Sequence, residues 1–149
     1  MIDFSRATPF RLVRRLAAAG QGSASMYLLI ADTADIAKVQ ADVSAEVQVQ
    51  LGAKLRSLTA SELRPERLED AFRDDAVWPA VLLTLDRWVP KLVDAIDCNV
   101  VLVTRFGAVL LLANNEIAER VLTAAPNLRS RLTDILAISP DEAFSGEPA

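Results

Sequence analysis

Several positions in this chain place a charged or amide side chain directly after an apolar run. Asp32 and Asp35 follow "MYLLIA", Asp86 closes "VLLTLD", and Asn114 and Asn115 follow "AVLLLA". Acids at the carboxyl ends of neighbouring strands are where α/β proteins build sites, and with a bound metal they activate water. Further along, Arg129 and Arg131 stand in "APNLRSRLTDILAISP". A fixed guanidinium there could answer an anion or a transition-state charge. Each residue also has a plainer role. Asp86 is placed to cap the helix "DRWVPKLV", and Asn114 or Asn115 to cap the next one. Arginines at a helix C-terminus suit its dipole, and Asp134 is near enough in sequence to pair with Arg131.

Two absences narrow the chemistry. There is no histidine, so Ser-His-Asp and Cys-His nucleophile pairs cannot form within the chain. The single cysteine, Cys98, forbids an internal disulfide and a cysteine-based zinc site. Cys98 reads as a small buried hydrophobe, and the expected setting is reduced and cytoplasmic. No apolar run reaches the roughly 18 residues of a membrane-spanning helix. The formal net charge of −4 argues against nucleic-acid binding, which rests on clustered positive charge. That charge is uneven: Arg6, Arg11, Arg14 and Arg15 face one acid, Asp3, in residues 1–25, whereas the last nine residues carry three acids and no base. An Ala/Arg/Leu-rich composition of this kind is typical of GC-rich bacterial proteomes.

The elements that must position these residues follow from periodicity. With 149 residues and 52% hydrophobic content, one domain with a substantial core is expected. Residues 1–25 read as an N-terminal amphipathic helix and linker, with Phe10, Val13 and Leu16 or Ala17 inward and "GQGSAS" flexible. Residues 26–140 form the α/β core, and 141–149 an acidic tail. Within the core, "MYLLIA" is a strand, and Ile36, Val39, Val43 and Val47 keep helical spacing after an N-cap at Asp32 or Thr33, up to a C-cap at Gly52. "KLRSLTA" is an edge strand, and "ELRPERLEDAFRD" a polar helix with Leu68, Ala71 and Phe72 as its apolar stripe. A strand follows over residues 80–85, then a helix burying Trp88, Leu92, Val93 and Ile96. "NVVLVT" and "AVLLLA" flank a turn at Arg105–Gly107, a helix runs from Asn114 or Asn115 and restarts at Pro126, and "DILAI" is the last strand. Trp78 and Trp88 read as core or interface residues. Continuous apolar strands alternating with amphipathic helices describe a three-layer α/β fold with a mostly parallel sheet covered on both faces.

Taken in order, these segments resemble the core of an AAA+ ATPase, a P-loop NTPase-like architecture of five strands in the order 5-1-4-3-2. "VLLTLD" resembles the Walker B strand and makes Asp86 the magnesium-side acid. "VLLLAN" resembles the sensor-1 strand, with Asn114 or Asn115 as the sensor. "APNLRSRLTDILAISP" resembles the arginine-finger segment, Arg131 matching the finger and Arg129 the alternative. The departures are as informative. A phosphate loop needs Gly-x-x-x-x-Gly-Lys-Ser/Thr, whose amides and lysine hold the phosphates. Here "DTADIAK" occupies that place, with two carboxylates and no glycine. A carboxylate about 4 Å from a phosphate charge is repelled by roughly 4 kcal/mol at an effective dielectric of about 20. Arg87 stands where the family places its water-activating glutamate.

The resemblance therefore implies a degenerate, catalytically inactive member with no cofactor and no metal. It would act as a protein-interaction or scaffold module, offering an arginine to a partner that is itself an ATPase or part of a larger multicomponent system. Homo-oligomerisation is left open; neither nucleic acid nor membrane is expected as a partner. Arg11, Arg14, Arg15 and Trp88 are the interface candidates. Two other readings compete. One is a generic α/β docking domain unrelated to ATPases, which a flavodoxin-like 2-1-3 strand order would favour. The other is a metal-dependent enzyme built on Asp32, Asp35 and Asp86.

Overall fold

A computed structural model of the chain describes residues 5–19, 25–67, 80–98 and 108–140. The elements are β1 (Ser5–Ala7), α1 (Pro9–Ala19), β2 (Ser25–Ile30), α2 (Ile36–Leu51), β3 (Arg56–Thr59), β4 (Ala80–Thr84), α3 (Pro90–Cys98), β5 (Ala108–Ala113), α4 (Asn115–Ala124), α5 (Pro126–Arg131) and β6 (Asp134–Ile138). Short 3-10 turns lie at Thr33–Asp35 and Pro65–Arg67. The linker over 20–24, the apolar stripe of Leu68, Ala71 and Phe72, Trp78, the Arg105–Gly107 turn and the acidic tail all lie outside the described residues.

Six strands form one sheet in the order β1-β6-β2-β5-β4-β3, and every pairing is parallel. Parallel strands buried on both faces require unbroken apolar runs, which is the pattern "SMYLLI", "AVLLT" and "AVLLLA" supply. Tyr27, Leu29, Leu82, Leu110 and Leu112 face one side, where Leu12, Val13 and Leu16 of α1 and Val39, Val43 and Val47 of α2 cover them. Met26, Leu28, Leu83, Val109 and Leu111 face the other, beneath Leu92, Ile96, Ile117, Val121 and Leu128 of α3, α4 and α5. Each fully buried aliphatic side chain contributes about 1.5–3 kcal/mol relative to exposure. The result is the three-layer α/β architecture expected from the sequence.

The strand order differs from expectation by one strand. The five core strands keep the order 5-1-4-3-2, and β1 adds a sixth at the edge beside β6. Three residues, Ser5, Arg6 and Ala7, carry no apolar run, so nothing in their composition announces a strand. The register of α1 also differs: Leu12, Val13 and Leu16 are buried, while Phe10 is 45% exposed and Ala17 is exposed. The Phe10 carbonyl accepts a hydrogen bond from Gln50 Nε2 of α2 at 3.0 Å.

Helix ends account for further corrections. α3 begins at Pro90, not at Asp86. Proline suits the first helical position because its missing N–H needs no partner there, and it disfavours helical backbone at the residue before it. After Ser61 the chain forms turns and a 3-10 segment at Pro65–Arg67 where a helix was expected. Gly52 terminates α2 as expected, in left-handed conformation with φ 64°, its N–H donating to Gln48 O at 3.1 Å.

Candidate functional site

The sheet's carboxyl edge gathers most of the residues singled out from sequence. Ala31 continues β2 by donating its N–H to Ala113 O at 3.0 Å, and Leu85 and Ala60 prolong their strands onto Leu112 O and Thr84 O. The loop leaving β2 therefore starts from a fixed point. Asp32 is extended and exposed, and the chain then tightens into Thr33–Asp35. Asp35 N–H donates to Asp32 O at 2.8 Å, and Ile36 N–H donates to Thr33 O. Neither Asp32 nor Asp35 makes a side-chain cap bond, which corrects the expected side-chain N-cap: the turn is capped by its own backbone. The amides at the entry to α2, which a phosphate loop would point outward, are thus partly consumed inside the turn.

Two side chains stitch the strand ends together. Asn114 Oδ1 accepts from Ile117 N at 2.9 Å, making Asn114 the N-cap of α4, and its Nδ2 donates to Thr33 Oγ1 at 3.2 Å. Asp86, expected as a helix cap, instead accepts from Ser61 N at 3.1 Å and Ser61 Oγ at 2.5 Å. Asn114 ties β5 to the turn after β2; Asp86 ties β4 to the turn after β3. Asn115 is the first residue of α4 and is exposed. Asp32, Asp35 and Asp86 do not converge: among the described residues no group of three or more acids or thiols is arranged to hold a metal ion.

The arginines are elsewhere. Arg129 and Arg131 occupy the last turn of α5, and both are exposed. The chain then turns into β6 at the amino end of the sheet, where Thr133 N donates to Met26 O at 2.7 Å and Thr133 Oγ1 accepts from Met26 N at 3.2 Å. The two guanidinium groups consequently sit at the opposite edge of the sheet from Asp32, Asp86 and Asn114. Neither has a carboxylate partner among the described residues. Asp134, expected to pair with Arg131, instead pairs with Arg15 of α1 at 3.2 Å. Asp134 opens β6, so its side chain leaves toward α1 and not back along α5.

Sequence reasoning missed Asp97. Its Oδ1 accepts from Leu128 N at 2.9 Å and its Oδ2 from Asn127 Nδ2 at 3.3 Å, so it supplies the N-terminal cap that Ala125 cannot provide for α5. The acid lies 31 residues from its target. An unmatched Asp at a helix end and a capless helix beginning at Pro126 were the available signals.

Of the interface candidates, Arg11, Arg14 and Arg15 are exposed on α1. Trp88 is half-buried beside α4, with the Arg120 guanidinium 5.8 Å from its ring centroid and Glu116 and Glu119 nearby in a shallow groove. Cys98, expected to be buried, is exposed at the end of α3.

No protein-family model matches the chain, and no curated protein matches it. Among solved structures it is similar to a chain in the structure of Drosophila ORC bound to AT-rich DNA and Cdc6, with a TM-score of 0.52 at 12% sequence identity. The match covers 89% of this chain but 28% of that one, so this chain spans little more than a quarter of its neighbour's length. At that identity the likeness concerns fold alone, a three-layer α/β domain around a parallel sheet.

Proposed function

We propose that this chain is a catalytically inactive, ATPase-like scaffold or protein-interaction module that offers an arginine, Arg131 or Arg129, to a partner. One observation carries the reading: the entry to α2 is a glycine-free turn bearing Asp32 and Asp35, with Asp35 and Ile36 amides bonded to Asp32 O and Thr33 O. A triphosphate there would meet negative charge and a backbone already engaged, with no lysine in the phosphate-loop position. The arginines' place at the far edge of the sheet supports action in trans, because a guanidinium there is remote from its own chain's strand-end crevice. Stabilising charge on a neighbour's nucleotide requires only that it be positioned. The structural neighbour is part of a multi-protein assembly, which is the context such a module would serve.

Calorimetry and thermal unfolding of the full chain with Mg-ATP test the proposal. A ligand present at about a hundred times its Kd adds about 2.7 kcal/mol of stability, a shift of several degrees for a domain of this size. The expected result is neither heat of binding nor a shift. Micromolar ATP binding would end the reading.

A further inference from the structure

α4 buries one stripe against the sheet and leaves the neighbouring one to solvent: Glu116, Glu119, Arg120, Thr123 and Ala124. Their spacing puts them along one flank of the helix. Together with Trp88, whose ring packs in part against the core, they line a groove of about 480 Å³. The groove is shallow and open. It suits a segment laid along α4 better than a small molecule, which needs most of its surface enclosed.

The groove already holds a cation, and it is the chain's own. The Arg120 guanidinium stands 5.8 Å from the Trp88 ring centroid and 3.4 Å from a carboxylate oxygen of Glu116. Both contacts are loose. The first is near the roughly 6 Å limit at which a ring still attracts a cation. The second joins side chains that are 52% and 75% exposed, and such pairs contribute little. One carboxylate is left over. Glu119 is exposed with no cation partner among the described residues, and Thr123 Oγ1 donates to its backbone oxygen at 3.0 Å, not to its side chain. Two acids against one base leave the lining with a surplus negative charge. Arg87 and Lys91 are exposed near Trp88 in sequence but line no part of the groove.

We propose that the groove between Trp88 and α4 docks a lysine- or arginine-bearing segment of a partner protein, with Arg120 as the occupant it displaces. An incoming cation meets what Arg120 now uses, the ring face and Glu116, and also the unused Glu119. Its aliphatic stem can lie on Trp88 and Ala124. Tryptophan set in a charged rim is a common anchor of protein-binding surfaces. An acidic segment or nucleic acid would meet two carboxylates for one guanidinium. The lining includes neither Arg129 nor Arg131, so this surface is distinct from the arginine donation proposed above.

Display selection of random peptides on the full chain tests this, with Glu119→Lys, Arg120→Ala and Thr123→Arg as comparison proteins. All three side chains are exposed, so the variants should melt near the parent. Enriched peptides are expected to carry Lys or Arg beside an apolar residue, and to bind more weakly as salt rises. They should lose about tenfold in affinity for Glu119→Lys and for Thr123→Arg, the scale of a reversed or added like charge. They should gain about threefold for Arg120→Ala, because the resident cation no longer competes. No enrichment, enrichment of acidic or neutral peptides, binding indifferent to Glu119→Lys, or binding weakened by Arg120→Ala would each overturn the proposal. Self-association of the free chain that Glu119→Lys abolishes would assign the groove to a second copy and overturn it as well. The selection is independent of nucleotide and of Arg129 and Arg131, so its failure would leave the scaffold reading intact.

Discussion

Asn114 and Thr33 join the ends of two adjacent strands through one side-chain amide, Nδ2 to Oγ1 at 3.2 Å, while the same amide's oxygen caps α4 through Ile117 N at 2.9 Å. The two functions separate by substitution. Asn114→Ala removes both and should cost about 1 kcal/mol, the usual value of an N-cap. Asn114→Asp keeps the acceptor and adds a charge that suits the helix N-terminus, but it cannot donate to Thr33. Denaturant unfolding should therefore place the aspartate variant near the parent and the alanine variant below it. Equal losses would mean that the strand-end tie, not the cap, dominates.

Gly52 offers a test of backbone rather than contact. A Cβ added there meets nothing within 4 Å, so any penalty must come from its φ of 64°. The left-handed region costs a non-glycine residue about 1–2 kcal/mol. Gly52→Ala should lower stability by that amount, and Gly52→Asn by less, since Asn tolerates this conformation. Thermal melts of the pair would measure the difference directly.

The Arg15–Asp134 pair links α1 to the first residue of β6, yet the two side chains are 50% and 39% exposed. Exposed pairs contribute about 0–1 kcal/mol and are screened by salt. Arg15→Ala should shift unfolding by no more than that, and the deficit should shrink as ionic strength rises. A larger, salt-independent loss would show that Arg15 stabilises by packing its stem on α1's neighbours.

Legibility from sequence followed burial. "MYLLIA", "VLLTL" and "AVLLLA" declared themselves because strands covered on both faces need apolar residues at every position, and Val39, Val43 and Val47 declared α2 by their spacing. β1 did not, because its pairing with β6 is made by backbone groups that any residue carries. Site residues were legible where their partner is local: Asn114 caps α4 three residues ahead. They were illegible where the partner is distant in sequence. Asp86 binds Ser61, Asp134 binds Arg15, and Asp97 binds the start of α5. For Asp86 and Asp134 a short-range role looked sufficient, and the parallel topology supplied a different neighbour; Asp97 had no local partner to announce it. Pro90 was the one local signal that could have excluded Asp86 as a cap.

The sharpest prediction concerns Asp97 and the arginines together. α5 is six residues long, too short to hold its direction by helix propensity alone. Its first turn is fixed by Asp97, which accepts from Leu128 N and Asn127 Nδ2, and its middle by buried Leu128. Arg129 and Arg131 leave from the last turn, so their positions depend on a carboxylate that touches neither. If they are only caps, replacing both by Ala should cost about 0.3–1 kcal/mol per charge through the lost dipole interaction and leave partner function unchanged. If one is offered to a partner, the double variant should lose that function with stability nearly intact. Asp97→Ala should then reproduce part of the functional loss while both arginines remain, at a stability cost of about 1 kcal/mol. Asp97→Asn, which keeps an acceptor for Leu128 N, should restore most of it. A pull-down or stimulated-ATPase assay on the native partner, run beside thermal melts of all four proteins, separates the cases. Function surviving the double arginine substitution would remove the arginine from the proposal while leaving the scaffold standing.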